Sequence, residues 1–105
     1  MQPEGFIYLM RRADGLHKIG RTNDLKERRE SLSRQYKQPV KLIASWAVPN
    51  VESYEAKALA ITQHFAVDNT ELRSMSRKDS LAFMFVFSLI CERMAKPGKL
   101  ETILY

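Results

Sequence analysis

Phe6-Ile7-Tyr8-Leu9-Met10 is a short apolar run of strand formers; it breaks at Arg11-Arg12-Ala13-Asp14-Gly15, where Asp and Gly mark a turn, and resumes as Leu16-His17-Lys18-Ile19-Gly20-Arg21. The pattern predicts a β-hairpin, with Gly20 closing the second strand. Thr22-Asn23-Asp24 then supplies helix-capping side chains, and Asp24 and Glu27 have the spacing of a capping box. A helix is expected from about Leu25 to Tyr36, because Leu25, Leu32 and Tyr36 fall at i, i+7 and i+11 and form one buried stripe.

Downstream, Pro39 opens a new element. Val40 to Val48 alternates poorly, but it is apolar and β-branched enough for a third strand, ended by Pro49-Asn50. Tyr54, Ala58, Ile61 and Phe65 repeat at i, i+4, i+7 and i+11, which predicts an amphipathic helix over Ser53 to Ala66, capped near Ser53. Val67 to Met75 is polar and reads as a loop. Ser76 and Asp79 mark another capped start, leading into an apolar helix over about 77–95 that Pro97-Gly98 stops. Phe83 to Phe87 is apolar on every side and is compatible with a buried strand; length favours helix. Such a helix must be covered, either by the domain core or by a second copy of the chain, which motivates homodimerisation as an expectation. The resulting fold class is α+β, a small three-stranded antiparallel sheet flanked by about three helices.

Composition sets the outer limits. The 105 residues suit one domain with one core, and 45% apolar with 28% charged residues is ordinary for a globular chain. The net charge of +5 is not spread evenly: Arg11 to Lys41 holds ten basic and four acidic residues, so the rest is close to neutral. A basic segment on a neutral remainder is the footprint of a phosphate-binding face, although a solvated basic surface would have the same composition. The single cysteine, Cys91, excludes an intrachain disulfide framework and fits a reduced, cytoplasmic setting. The first residues lack the features of a secretory signal, and the longest apolar run falls well short of a membrane span.

Taken in order, Gly5-Phe6-Ile7-Tyr8, then His17-Lys18-Ile19-Gly20-Arg21-Thr22, then Arg28 eight residues beyond Gly20, then Glu55 opening the second helix, resembles the GIY-YIG nuclease family. The likeness is to the phage-associated branch whose second motif reads Lys-Ile-Gly. It covers about Gly5 to Phe65, with a weaker echo at Glu71 to Ser76.

The resemblance implies a metal-dependent endonuclease that hydrolyses phosphodiester bonds in nucleic acid, with DNA favoured over RNA and Mg²⁺ or Mn²⁺ as the cofactor. Glu55 would hold the metal, a role one carboxylate can fill because Mg²⁺ keeps most of its waters. Tyr8 would be the general base, which needs neighbouring cations because an ordinary phenol with a pKa near ~10 is a poor base at neutral pH. Arg28 fits the spacing of the arginine on the scissile phosphate. On an ideal helix Arg28 and Arg29 lie at about −60° and +40° from the apolar stripe, so Arg29 is held as a substitute. Lys18 stands where the family's second motif usually has tyrosine. Adjacent strand residues face opposite ways, so one of His17 and Lys18 faces the site; Lys18 is favoured as the cation that keeps Tyr8 anionic, with His17 the alternative proton carrier. Arg11, Arg12, Arg21, Lys26, Arg29, Arg34, Lys37 and Lys41 would form the backbone-binding face. Each residue also has a plainer reading: Tyr8 as a core aromatic, Glu55 as an acidic residue favourable to its helix dipole, and the arginines as solvated charges.

Overall fold

A computed structural model of the protein describes residues 5–94 and the backbone of 101–104. The chain runs β1 (Gly5–Arg12), β2 (His17–Thr22), α1 (Leu25–Tyr36), β3 (Val40–Val48), α2 (Val51–Ile61), a 3₁₀ turn (Gln63–Phe65), β4 (Leu72–Arg73), α3 (Arg77–Met94) and β5 (Glu101–Leu104). The expected α+β architecture is present. Its three strands form the centre of an antiparallel sheet of order β4-β2-β1-β3-β5, which the short strands β4 and β5 extend at either edge.

The hairpin register pairs Tyr8 with Gly20 and Met10 with Lys18. Strand alternation therefore sorts the side chains of β1 and β2 onto two faces. Tyr8 and Met10 face α1 and pack with Leu32 and Val40, against which Leu25 and Tyr36 also lie. Ile7, Leu9 and Ile19 face the other way, into a larger core with Trp46, Tyr54, Phe83 and Phe87. Trp46 meets Phe83 and Phe87 edge to face and donates its indole N–H to Ser88 at 3.0 Å. Its polar handle is thus satisfied without leaving the core.

Helix boundaries follow the local chemistry. Asp24 caps α1 by accepting from the Glu27 amide at 3.0 Å, but the reciprocal half of the capping box goes to Thr22, whose hydroxyl accepts from the Asp24 amide. Lys37 closes the helix in the left-handed region at φ 55°. α2 starts earlier than the Ser53 cap expected from sequence, because Asn50 accepts from the Ser53 amide. It also stops at Ile61 rather than Ala66. The buried Thr62 hydroxyl donates to the Ala58 carbonyl, and the Arg73 guanidinium donates to Thr62 Oγ1 and the Leu59 carbonyl, so side chains consume the last turn's acceptors.

The segment expected as a loop, Val67 to Met75, contains β4. α3 does have a reciprocal capping box between Ser76 and Asp79. It is a helix and not a strand: Ser80, Phe83, Phe87 and Cys91 are buried on one side, while Leu81, Phe85 and Leu89 stand exposed on the other, Phe85 by 68%. Pro97-Gly98 lies outside the described residues. No described helix is long and apolar enough to cross a membrane.

Candidate active site

The site lies on the α1 side of the sheet, at the edge of β2. β4 pairs only with His17 and Lys18, so from Ile19 onward β2 has no strand neighbour on that side among the described residues. Tyr8 lies across Gly20 of the neighbouring strand. A Cβ built on Gly20 would fall on the Tyr8 ring, 2.6 Å from Cζ and closer still to the hydroxyl. Glycine is required here by close approach, since nothing but a hydrogen fits under the ring.

Arg28, one turn into α1, donates from Nε to the Tyr8 hydroxyl at 3.3 Å. No described hydrogen bond engages its two Nη groups, which leaves the fork of the guanidinium available for an oxyanion. Arg29 lies elsewhere, lining a shallow groove with Leu25, Lys26 and Leu42.

Tyr8 has no exposed surface. Burial pushes its phenol above the ordinary value of 10.0; the Arg28 hydrogen bond and charge pull it back, and the charge of Glu71 pushes it further up. At neutral pH the resting residue is a phenol, which corrects the expectation of a phenolate maintained by nearby cations.

Lys18 shares the face of Tyr8, as the register requires, but its ammonium is paired with the Glu71 carboxylate. Glu71 is held below its ordinary value chiefly by that bond. His17 is on the opposite face, paired across the sheet with Arg11, and is 3% exposed. Its expected role as alternative proton carrier beside Tyr8 is corrected by this placement.

Glu55 joins the group from α2. Burial raises its carboxyl above the ordinary 4.5, opposed by the charges of Arg21, Lys18 and Arg28 and reinforced by that of Glu71. Its Oε1 is 3.7 Å from Arg21 Nε. The cluster is therefore Tyr8, Lys18, Arg28, Glu55 and Glu71, two carboxylates among three cation or phenol groups. Sequence reasoning did not include Glu71. It lies 53 residues from Lys18, and its one sequence signal was the echo of the family pattern at Glu71 to Ser76.

Among the described residues no group of three or more His, Cys, Asp or Glu side chains converges on one point, so a metal site built wholly from protein ligands does not fit. Glu55 offers hard oxygens of the kind that bind a largely hydrated Mg²⁺ or Mn²⁺ through one or two carboxylates, and Glu71, whose charge it feels, is engaged by Lys18.

The cations expected to form one binding face are divided. Arg12 pairs with Asp14 and lies over the Tyr36 ring, 4.6 Å from its centroid, on the α1 side. Arg11 is on the reverse side with His17, because neighbours on a strand alternate. Arg21 is drawn to Glu52 and Glu55, and Arg34 to Glu27 at 3.8 Å. Lys26 and Arg29, both on α1, border a groove with Val40 and Leu42, whereas Lys41 between those two residues pairs with Arg11 on the reverse side.

The fold is antiparallel α+β, with Arg28 bonded to Tyr8 and the charge of Glu55 felt from α2, and the family match places the chain in a phage-derived domain class related to nucleases. The chain belongs to the T5orf172 domain family, which it matches over residues 5–84. No curated protein and no solved structure matches it.

Proposed function

We propose that the protein is a metal-dependent endonuclease that hydrolyses phosphodiester bonds in DNA, with Tyr8, Arg28 and Glu55 at its active site. The observation that carries this reading is the convergence of Arg28 on the Tyr8 hydroxyl within electrostatic reach of Glu55. In the reaction, Tyr8 first gives its phenolic proton to solvent; a water oxygen then attacks phosphorus, the water's proton passes to the Tyr8 phenolate oxygen, and the bond to the sugar oxygen breaks as that departing oxygen takes a proton from solvent. The free Nη groups of Arg28 grip the phosphate in a bidentate manner. A divalent metal bound by Glu55 would supply charge stabilisation for the phosphate and the leaving oxygen.

Because Arg28 caps a fully buried Tyr8 hydroxyl, a phosphate that draws the guanidinium toward itself also uncovers the base. The charge of Glu71, paired with Lys18, disfavours the phenolate, so neutralising Glu71 lowers the cost of forming it. Glu71→Gln is expected to lower the pH at which Tyr8 ionises, since it removes a negative charge that favours the neutral phenol. The measurement is tyrosinate absorbance against pH, with Tyr8→Phe subtracted to isolate this residue. An unchanged midpoint would show that Glu71 does not govern Tyr8. The pH–rate profile for cleavage should move in the same direction.

A second reading, a nucleic-acid-binding module without turnover, is favoured by the complete burial of Tyr8 and the engagement of Lys18. Nicking of supercoiled plasmid in Mg²⁺ or Mn²⁺ but not in EDTA separates the two. Salt-sensitive binding without any cutting selects the module. Homodimerisation over the Leu81, Phe85 and Leu89 stripe is part of the same proposal, and a monomeric mass by light scattering would remove it.

A further inference from the structure

The reverse of the sheet, facing away from Tyr8 and Arg28, carries a second concentration of cations that the proposed reaction does not use. Cross-strand pairing sets Arg73 of β4 beside His17 of β2, His17 beside Arg11 of β1, and Arg11 beside Lys41 of β3. Four basic side chains thus form one row across four strands. Arg73 is buried and committed to Thr62 and the carbonyls around it. The other three border a cavity of about 540 Å³, which Arg77 at the start of α3 also lines and which Ile43 and Met84 wall on the apolar side.

Arg11 and Lys41 are like charges placed directly across the sheet, which repel, while burial and Arg11 keep His17 toward its neutral form and the charge of Glu71 acts on Arg73 at the far end of the row. Among the described residues, Arg11, Lys41 and Arg77 form no ion pair, and no acidic residue lines the cavity. His17 is 3% exposed, and its Nδ1 is buried without a partner in hydrogen-bonding geometry, the Gly15 backbone being the group that acts on the ring most nearly as one. An unpartnered buried polar atom costs roughly 1–3 kcal/mol and is uncommon unless something else satisfies it. The cavity's volume lies within the ~300–1,000 Å³ typical of small-ligand sites, and its cations and apolar wall are complementary to an anionic group attached to a flat apolar body.

We propose that this concavity is a phosphate-binding site, distinct from the Tyr8 cluster, that takes the phosphate group of a nucleotide or of a nucleic-acid strand between Arg11, Lys41 and Arg77 and against His17. Two histidines, His17 and His64, make the test specific. Inorganic phosphate, a nucleoside monophosphate and a short oligonucleotide are titrated in turn while the imidazole resonances are followed by NMR. The expected result is that phosphate or the nucleotide shifts His17 and not His64. Binding should weaken at least about tenfold in Arg11→Ser/Arg77→Ser, as loss of charge-assisted contacts requires, and persist in Arg28→Ala. If the double variant does not fold, Lys41→Ser provides the same comparison. Saturation by the nucleotide with no response to the oligonucleotide identifies a free nucleotide as the source, and a response to the oligonucleotide identifies a strand contact. The proposal is overturned if His17 does not respond to any of the three, if the variants bind as wild type does, or if Arg28→Ala abolishes the response. Plasmid cleavage plays no part in this readout, so it stands or falls separately from the nuclease reading.

Discussion

Replacing Arg28 with alanine is expected to reduce plasmid cleavage by about 10²–10³-fold, the usual cost of deleting one preorganised donor to a developing oxyanion. Arg28 sits partly exposed on α1 and contributes little to the core, so the variant should fold. Its removal has a second effect. The Tyr8 hydroxyl loses the hydrogen bond and the nearby charge that oppose the effect of burial, and its pKa rises further. A buried hydroxyl left without its partner costs roughly 1–3 kcal/mol, visible as a lower melting temperature. Arg28→Lys restores charge without the planar fork and should recover only part of the rate. Arg29→Ala, whose side chain lines a different groove, should weaken binding and leave the chemical step close to wild type. Equal losses from Arg28→Ala and Arg29→Ala would mean that Arg28 has no special place on the phosphate.

The second large effect is expected at Gly20. Alanine there puts a methyl group into the Tyr8 ring, and the ring is enclosed by core residues on its other side. Tyr8 or the strand must shift, at a cost of about 1–3 kcal/mol in stability for an overpacked core. Cleavage should fall as far as it does in Tyr8→Phe, because the hydroxyl leaves the reach of Arg28. The Tyr8→Phe/Gly20→Ala double variant removes the atom nearest the clash and should be more stable than the sum of the two single effects implies. Gly15 provides the control. It has a positive φ of 94° with open space around it, so Gly15→Ala strains the turn without touching the cluster and should leave cleavage unchanged. Wild-type cleavage by Gly20→Ala would show that Tyr8 need not occupy its observed position.

Much of this arrangement is legible in the sequence. The Leu25, Leu32 and Tyr36 stripe fixed the buried side of α1, and the Ser76 and Asp79 pair marked the start of α3, because both depend on residues within a few turns of each other. Strand alternation stated that His17 and Lys18 must face opposite ways, and the register of the hairpin put Lys18 with Tyr8. What it did not indicate was the partner of Lys18. Glu71 meets it only through β4, a two-residue strand too short to have a periodicity of its own. The early end of α2 was hidden for the same reason, since Arg73 reaches back across the fold to take the Leu59 carbonyl. The neutral state of Tyr8 depends on burial by α1 packing, which no local spacing reveals. Charge counting located the basic segment in Arg11 to Lys41, but the pleat divides it between two faces.

The nuclease reading is tested most directly by comparing wild type with Glu55→Gln on supercoiled plasmid, measuring binding and nicking in parallel with Mg²⁺ and with EDTA. Glutamine keeps the size of the side chain and removes the charge. The account requires that wild type nick the plasmid only with metal and that Glu55→Gln bind it with similar affinity and cut at least about a hundredfold more slowly. Metal-dependent nicking that survives in Glu55→Gln would contradict it, as would a wild-type protein that binds plasmid and never cuts.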